Sequence, residues 1–162
     1  MKLKQLIDED FVNYKKPSMF IGTSECDWKC CKEQCLDISI CQNSQLANSK
    51  TIDVPVEDLV HRYIDNSLTE AVVFGGLEPI KQQKDILDFI YFLRENDCYD
   101  DIVIYTGYNE NEIEFVIEFL KAMAKKNLFI KFGRFIPDDT PHFDDVLGIE
   151  LSSNNQYCKQ IC

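Results

Sequence analysis

Four short apolar runs, separated by stretches of helical periodicity, constrain the fold of this chain more than any other feature. Each run is followed within two residues by a glycine, and the runs are Met19–Ile21, Ala71–Phe74, Ile102–Tyr105 and Leu128–Phe132. The intervals between them contain apolar residues at helical spacing, at about 55–66, 81–96 and 109–126. Strands that alternate with helices of ordinary length are typical of right-handed βαβ units on a parallel sheet. The sequence therefore predicts an α/β fold.

The length of the chain suits one domain, because 162 residues can bury a real core but rarely form two. We predict a single domain over residues 1–162, in which 18–50 form a strand and a cysteine-bearing loop and 51–162 supply the remaining βα units. Residues 1–17 carry few signals, and no element is predicted there. Asn109 and Glu112 are spaced as a capping box at the start of the last helix.

Every predicted strand ends in chemically marked residues. Cysteines follow the first strand, a Gly-Gly pair the second, Thr106-Gly107 the third and Gly133-Arg134 the fourth. Ligands of parallel sheets collect where the strands end, at the carboxyl edge. The four marked ends predict one site.

Cysteines are concentrated in one loop, since five of the eight lie between Cys26 and Cys41. Eight cysteines are too few for a disulfide scaffold of this length. The N-terminus turns acidic before an apolar signal segment could form, and no apolar run approaches about 18 residues. We therefore expect a reduced, cytoplasmic protein, in which clustered cysteines bind metal more often than they form disulfides.

The net charge of −11 comes from 28 acidic and 17 basic residues. Such a balance disfavours a broad basic surface for nucleic acid or anionic membrane. We expect neither as a partner.

Spacing alone leaves the metal and its third ligand open. Structural zinc sites usually have two cysteine pairs with short spacers, and that pattern is missing here. Cys26 and Cys30 are the first two candidates. The third is Cys41 or Cys35, with Cys31 less suitable because adjacent thiolates rarely point at one cluster.

The order of the motifs resembles the radical S-adenosylmethionine superfamily. The relevant residues are Cys26-x-Trp28-x-Cys30, then Cys41-Gln42-Asn43, then Gly75-Gly76-Leu77-Glu78-Pro79. The small activating enzymes of anaerobic ribonucleotide reductase are more similar still. Three further motifs match them in order, namely Tyr105-Thr106-Gly107-Tyr108, Gly133-Arg134-Phe135 and Ser152-Ser153-Asn154-Asn155-Gln156.

This resemblance implies an incomplete (βα) barrel and a 4Fe-4S cluster held by Cys26, Cys30 and Cys41. The fourth iron would bind S-adenosylmethionine, whose reductive cleavage yields a 5′-deoxyadenosyl radical. The resemblance also implies a set of cofactor-binding residues, in which Trp28 shields the cluster and Glu78 accepts from the methionine ammonium; the set is Trp28, Gln42, Gly75, Gly76, Glu78 and Thr106.

The implied partners are an anaerobic ribonucleotide reductase, as the glycyl-radical protein, and a flavodoxin or ferredoxin as electron donor. Two alternatives remain open. One is a radical enzyme acting on another peptide or small molecule, and the other is a non-catalytic iron–sulfur or zinc protein. Cys158 and Cys162 could be free thiols, a redox pair or ligands of a second cluster.

Two departures separate the chain from the pattern it resembles. The usual spacing is Cys-x3-Cys-x2-Cys, but Glu33 occupies the third position here, so Cys41 requires a spacer of ten residues. Leu77 also stands within what is usually Gly-Gly-Glu-Pro.

Overall fold

A seven-stranded mixed sheet forms the centre of the protein in the computed structural model, which describes residues 1–162. The nine strands are β1 (Lys2–Asp10), β2 (Ser18–Thr23), β3 (Ile52–Asp53), β4 (Ala71–Gly76), β5 (Asp101–Tyr105), β6 (Leu128–Phe132), β7 (His142–Asp144), β8 (Ile149–Leu151) and β9 (Tyr157–Gln160). The strand order is β3-β1-β2-β4-β5-β6-β9, and β7 and β8 form a separate hairpin.

Five α-helices connect the strands: α1 (Lys29–Glu33), α2 (Ser44–Ala47), α3 (Val56–Ile64), α4 (Gln83–Glu95) and α5 (Glu114–Ala124). Short 3-10 turns at Pro79–Gln82 and Glu110–Glu112 precede α4 and α5, so both helices begin later than their apolar spacing predicts. The capping contact is present, because the Asn109 amide donates to Glu112 Oε2 over 2.8 Å.

The parallel part of the sheet consists of β2, β4, β5 and β6, each paired with the next in chain order. β1 and β9 flank this block as antiparallel neighbours. The sheet is open at β3 and β9, so no closed barrel forms. In a (βα) barrel, too, parallel strands pair in chain order and the helices form a single outer layer. The incomplete barrel stays a prediction.

The two faces of the parallel strands have different partners. Met19, Phe74, Ile104 and Ile130 belong to a core of 24 buried residues that includes the apolar stripes of α3, α4 and α5. Alternate residues face the other way, where a smaller apolar cluster includes Phe20 and Leu147 and no long helix. Space for a ligand therefore lies on this inner face.

Residues 1–17 are ordered, with β1 paired antiparallel to β2 and its Leu3 fully buried. The sequence did not predict this strand because register shifts interrupt the pairing between Leu3 and Gln5 and between Ile7 and Asp10. A bulged strand loses the strict alternation by which strands are recognised.

None of the helices has both the length and the apolar character needed to cross a membrane.

Candidate metal centre

A cavity of about 400 Å³ lies at the carboxyl edge of the parallel strands, on the inner face of the sheet. Its volume is within the range of small-molecule sites, roughly 300–1,000 Å³. Four cysteines line it, namely Cys26, Cys30, Cys31 and Cys41. The edge where the sequence predicts one site therefore contains a cavity that thiols line.

Strand register explains why the cavity forms here. Gly22 pairs with Gly75, and Tyr105 pairs with Lys131, at the last inward-facing level of the four strands. The two glycines contribute no side chain, and the Phe20 ring packs where their Cβ atoms would be, 2.7 Å from that of Gly75. Side chains larger than glycine would displace this ring and close one wall of the cavity.

Backbone amides point at the sulfurs of the cysteine loop. The Trp28 amide donates to Cys26 Sγ over 3.2 Å, and the Asn43 amide donates to Cys41 Sγ over 3.4 Å. Trp28 has a left-handed backbone conformation (φ 59°), which is uncommon for a bulky residue. Such N–H···S contacts favour the thiolate form that binds metal.

The position of Cys41 supports it over Cys35 as the third ligand. Cys41 lies on the cavity wall and close enough to Cys30 for their charges to interact, whereas Cys35 is exposed and lies outside the cavity. The Asn43 side chain donates to Gly76 O over 2.7 Å and ties the loop beyond Cys41 to the end of β4. Cys31 also lines the cavity, from within α1.

Burial is the main electrostatic influence on the thiols. It raises the pKa of Cys26 to about 12 and also raises the pKa of Cys30. Both thiols are therefore protonated near neutral pH in the metal-free chain. Metal binding must release their protons, so loading is favoured at higher pH.

Glu78 is buried and joins the ends of two strands. Its Oε1 accepts from the Ile80 amide over 3.1 Å and from Thr106 Oγ1 over 2.8 Å, while Oε2 accepts from the Gly107 amide over 2.9 Å. Burial raises its pKa to about 7. A carboxylate has about four acceptor positions, so one on Oε2 remains for a ligand.

Thr106 has a structural role in this arrangement. Its hydroxyl donates to Glu78 and accepts from the Tyr108 amide over 3.1 Å. The single proton of the hydroxyl is already used. Thr106 lines the cavity and can offer a ligand only its remaining acceptor position.

The other predicted cofactor-binding residues occupy different places. Trp28 and Gly76 line the cavity, the latter with φ +84° and no room for a Cβ against the backbone of Gly22. Gln42 lines it as well but is otherwise exposed, and its Oε1 accepts from Ser152 Oγ over 3.3 Å. Gly75 lies behind Phe20 and does not line the cavity.

Comparison with known protein families identifies the family to which the chain belongs. A family described as a 4Fe-4S single cluster domain matches residues 18–157, which include the cysteine loop and all four parallel strands. The chain belongs to this family. It is therefore an iron–sulfur protein of the 4Fe-4S single cluster type. No curated protein matches the sequence.

The residues of this 4Fe-4S domain fit a cluster better than a single ion. No three of its His, Cys, Asp and Glu side chains converge as ligands of one metal ion. In a cluster each thiolate binds a different iron, so cysteines spread around a cavity are suitable ligands. Gly107 leaves room beside one of them, since a Cβ at this position would lie 2.8 Å from Cys30 Sγ.

Cys158 and Cys162, which follow the matched residues 18–157, do not share a site. Cys158 is buried in the apolar cluster on the inner face, while Cys162 packs against the core on the helical face. Because the sheet separates them, they cannot ligate one second cluster or form a redox pair. Cys98 also packs against the helical core, as expected of a small apolar residue.

Sequence reasoning missed two features of the site. Lys131 is buried on the cavity wall. A lysine within an apolar run does not indicate which face of the sheet its side chain lies on. Arg134 is buried as well and binds Glu33 and Glu112 in a group that we call the Arg134 clasp. The sequence marks Arg134 at a strand end and within Gly-Arg-Phe, but its acidic partners depend on the fold.

Proposed function

We propose that this 4Fe-4S domain is a radical S-adenosylmethionine enzyme, which reductively cleaves S-adenosylmethionine to a 5′-deoxyadenosyl radical and installs a glycyl radical on an anaerobic ribonucleotide reductase. One observation carries the proposal. The cavity that Cys26, Cys30 and Cys41 line continues past the thiols to Gly76, Glu78 and Thr106, which follow in the order of the radical S-adenosylmethionine motifs.

Each of the three cysteines would hold one iron and leave the fourth iron free for a ligand. The cluster, when bound, supplies the electron that cleaves the sulfonium bond. Trp28 lies on the cavity wall beside Cys26 and would exclude water from the sulfurs. Asn43 would keep Cys41 in place through its bond to the Gly76 carbonyl.

The methionine portion of the ligand would lie against Gly76 and Glu78. The remaining acceptor position on Glu78 Oε2 is suited to an ammonium group, and a charge-assisted bond to a carboxylate is among the stronger hydrogen bonds. Thr106 and the Gly107 amide would position this carboxylate by holding both its oxygens. Thr106 is accordingly a positioning residue in the proposed site.

Exposed apolar residues beside the cavity support a macromolecular substrate. The residues between Cys30 and Cys41 include the exposed Ile38 and Ile40, and Ile40 lies at the cavity. A reductase would present its glycine loop at this side. A flavodoxin or ferredoxin would supply the electron that reduces the cluster.

Anaerobic reconstitution with iron and sulfide, followed by reduction and addition of S-adenosylmethionine, tests the proposal. We expect 5′-deoxyadenosine from the reconstituted chain and none from Cys26→Ala. Cys98→Ala is the matched control, since Cys98 lies away from the cavity and its variant should keep the activity. A full iron content without 5′-deoxyadenosine would favour a non-catalytic iron–sulfur protein.

The substrate is tested in a second step. The active chain is incubated with an anaerobic ribonucleotide reductase, and the glycyl radical is sought by electron paramagnetic resonance. Formation of 5′-deoxyadenosine without a glycyl radical would assign the chain to another peptide or small molecule.

A further inference from the structure

Lys131 is a buried lysine on the wall of the cavity, with 6% of its surface exposed. It lies on β6, where Leu128, Ile130 and Phe132 pack toward the helices. Lys131 and Phe129 alternate with them and face inward. The strand therefore directs an ammonium group into the space that the cysteines border.

The ammonium group has fewer partners than it can use. It has three N–H donors, and its one hydrogen bond goes to Gly133 O over 3.2 Å. A buried cation with a single neutral partner is costly unless a negative charge lies nearby. Two of its N–H donors are therefore free for an anionic occupant of the cavity.

The charges around Lys131 indicate what that occupant is. Burial lowers the pKa of Lys131 to about 8, and the neighbouring Glu78 acts in the opposite direction. The side chain is therefore mostly protonated near neutral pH. Burial keeps the pKa of Glu78 near 7, so this group is only partly ionised there and balances the lysine incompletely.

A bound cluster would supply the missing negative charge. Its three thiolates outweigh the positive charge of the oxidised iron–sulfide core, and reduction adds one more negative charge. Nearby charge and burial are among the factors that set the reduction potential of iron–sulfur centres. A fixed cation in a low-dielectric cavity stabilises the reduced form more than the oxidised form.

We propose that Lys131 is the buried counter-charge of the 4Fe-4S cluster and raises its reduction potential. The proposal rests on membership of the 4Fe-4S family and not on the proposed radical chemistry. Lys131 would make a bound cluster easier to reduce by an external donor, which supplies the one electron.

Redox titration of the reconstituted chain tests this role, with the reduced cluster followed by electron paramagnetic resonance. For Lys131→Met we expect the ratio of reduced to oxidised cluster at a fixed potential to fall at least tenfold, which is about 59 mV for one electron. Lys131→Gln should show a fall in the same direction, and it retains a donor for Gly133 O. Lys131→Arg keeps the charge and should restore most of the potential.

Lys159→Met is the matched control, because Lys159 is an exposed lysine on the neighbouring β9 and pairs with Glu110. Its potential should equal that of the unchanged chain. An unchanged potential in iron-loaded Lys131→Met or Lys131→Gln would overturn the proposal. If the potential were unchanged but S-adenosylmethionine bound more weakly, the proposal would also be overturned. Lys131 would then be assigned to the carboxylate of that ligand.

Discussion

Replacing Arg134 with methionine removes the Arg134 clasp and should loosen the cysteine loop. Arg134 donates to Glu112 Oε2 over 2.6 Å and Oε1 over 2.8 Å, to Glu33 Oε1 over 2.9 Å and to Gly107 O over 2.9 Å. Glu33 ends α1, the helix that contains Cys30, and Lys29 of the same helix pairs with Glu112. The clasp therefore fixes the helix that contains Cys30, a predicted cluster ligand.

The size of the effect follows from the exposure of each partner. The Arg134 side chain is 9% exposed, that of Glu112 21% and that of Glu33 46%. The half-exposed Glu33 contributes about 0.5 kcal/mol. The better buried Glu112 contributes about 1.5 kcal/mol, and the carbonyl of Gly107 loses a bond of about 1 kcal/mol. Together these give about 3 kcal/mol, or a fall in Tm of about 6–12 °C for a chain of this length.

Thermal unfolding of the metal-free chain under anaerobic conditions measures this loss, and iron content after reconstitution measures its effect on the site. Arg62→Met is the matched control, because Arg62 forms an exposed pair with Asp8 and neither residue lines the cavity. The Arg62→Met substitution should lower the free energy of unfolding by about 0–1 kcal/mol and leave the iron content unchanged. Equal Tm values and equal iron content in the two variants would refute the structural role of the clasp.

The clasp also predicts how stability depends on pH. Hydrogen bonds from Arg134 hold the pKa of Glu112 well below its ordinary value of 4.5. A carboxylate with a lowered pKa stabilises the folded state fully above the unfolded value, and this contribution is lost as the pH falls below about 4.5. The stability difference between the unchanged chain and Arg134→Met should therefore be constant above about pH 5 and shrink in more acidic solution. A constant difference down to pH 3 would contradict this.

Four further substitutions test the geometry of the cysteine loop. Cys41→Ala should abolish the visible absorption of the reconstituted cluster while Cys35→Ala retains it, and the reverse result would reassign the third ligand. Gly107→Ala should lower iron content several-fold, because its Cβ would lie 2.8 Å from Cys30 Sγ; unchanged iron content would show that the loop can move aside. Asn43→Ala removes a hydrogen bond of 2.7 Å to the carbonyl of Gly76 at the end of β4. The cluster should therefore be lost faster in the presence of a chelator, and absorbance measures the rate of loss.

The parallel strands could be predicted because each contains a short apolar run, and Ala71–Phe74 is continuous and buried on both faces. The site could be located for a related reason, since polar and glycine residues follow these runs at one edge. β1 was missed because its pairing is bulged. The hairpin of β7 and β8 was also missed, because strands of three residues give too short a pattern to recognise.

Within the site, spacing could not choose between Cys35 and Cys41, because a spacer of ten residues fixes no geometry. The fold distinguishes them through exposure. The sequence likewise marked Glu78 and Thr106 as ligand contacts, but it could not indicate that they bond to each other. Contacts between residues far apart in the chain depend on strand register, which the sequence alone does not specify.

Formation of 5′-deoxyadenosine most directly tests the proposal that the chain is a radical S-adenosylmethionine enzyme. The chain, reconstituted with iron and sulfide and reduced without oxygen, is given S-adenosylmethionine, and the products are separated by liquid chromatography. We expect 5′-deoxyadenosine in an amount that follows the iron content across the unchanged chain, Cys35→Ala and Cys41→Ala. A fully loaded and reducible cluster that yields no 5′-deoxyadenosine would contradict the claim.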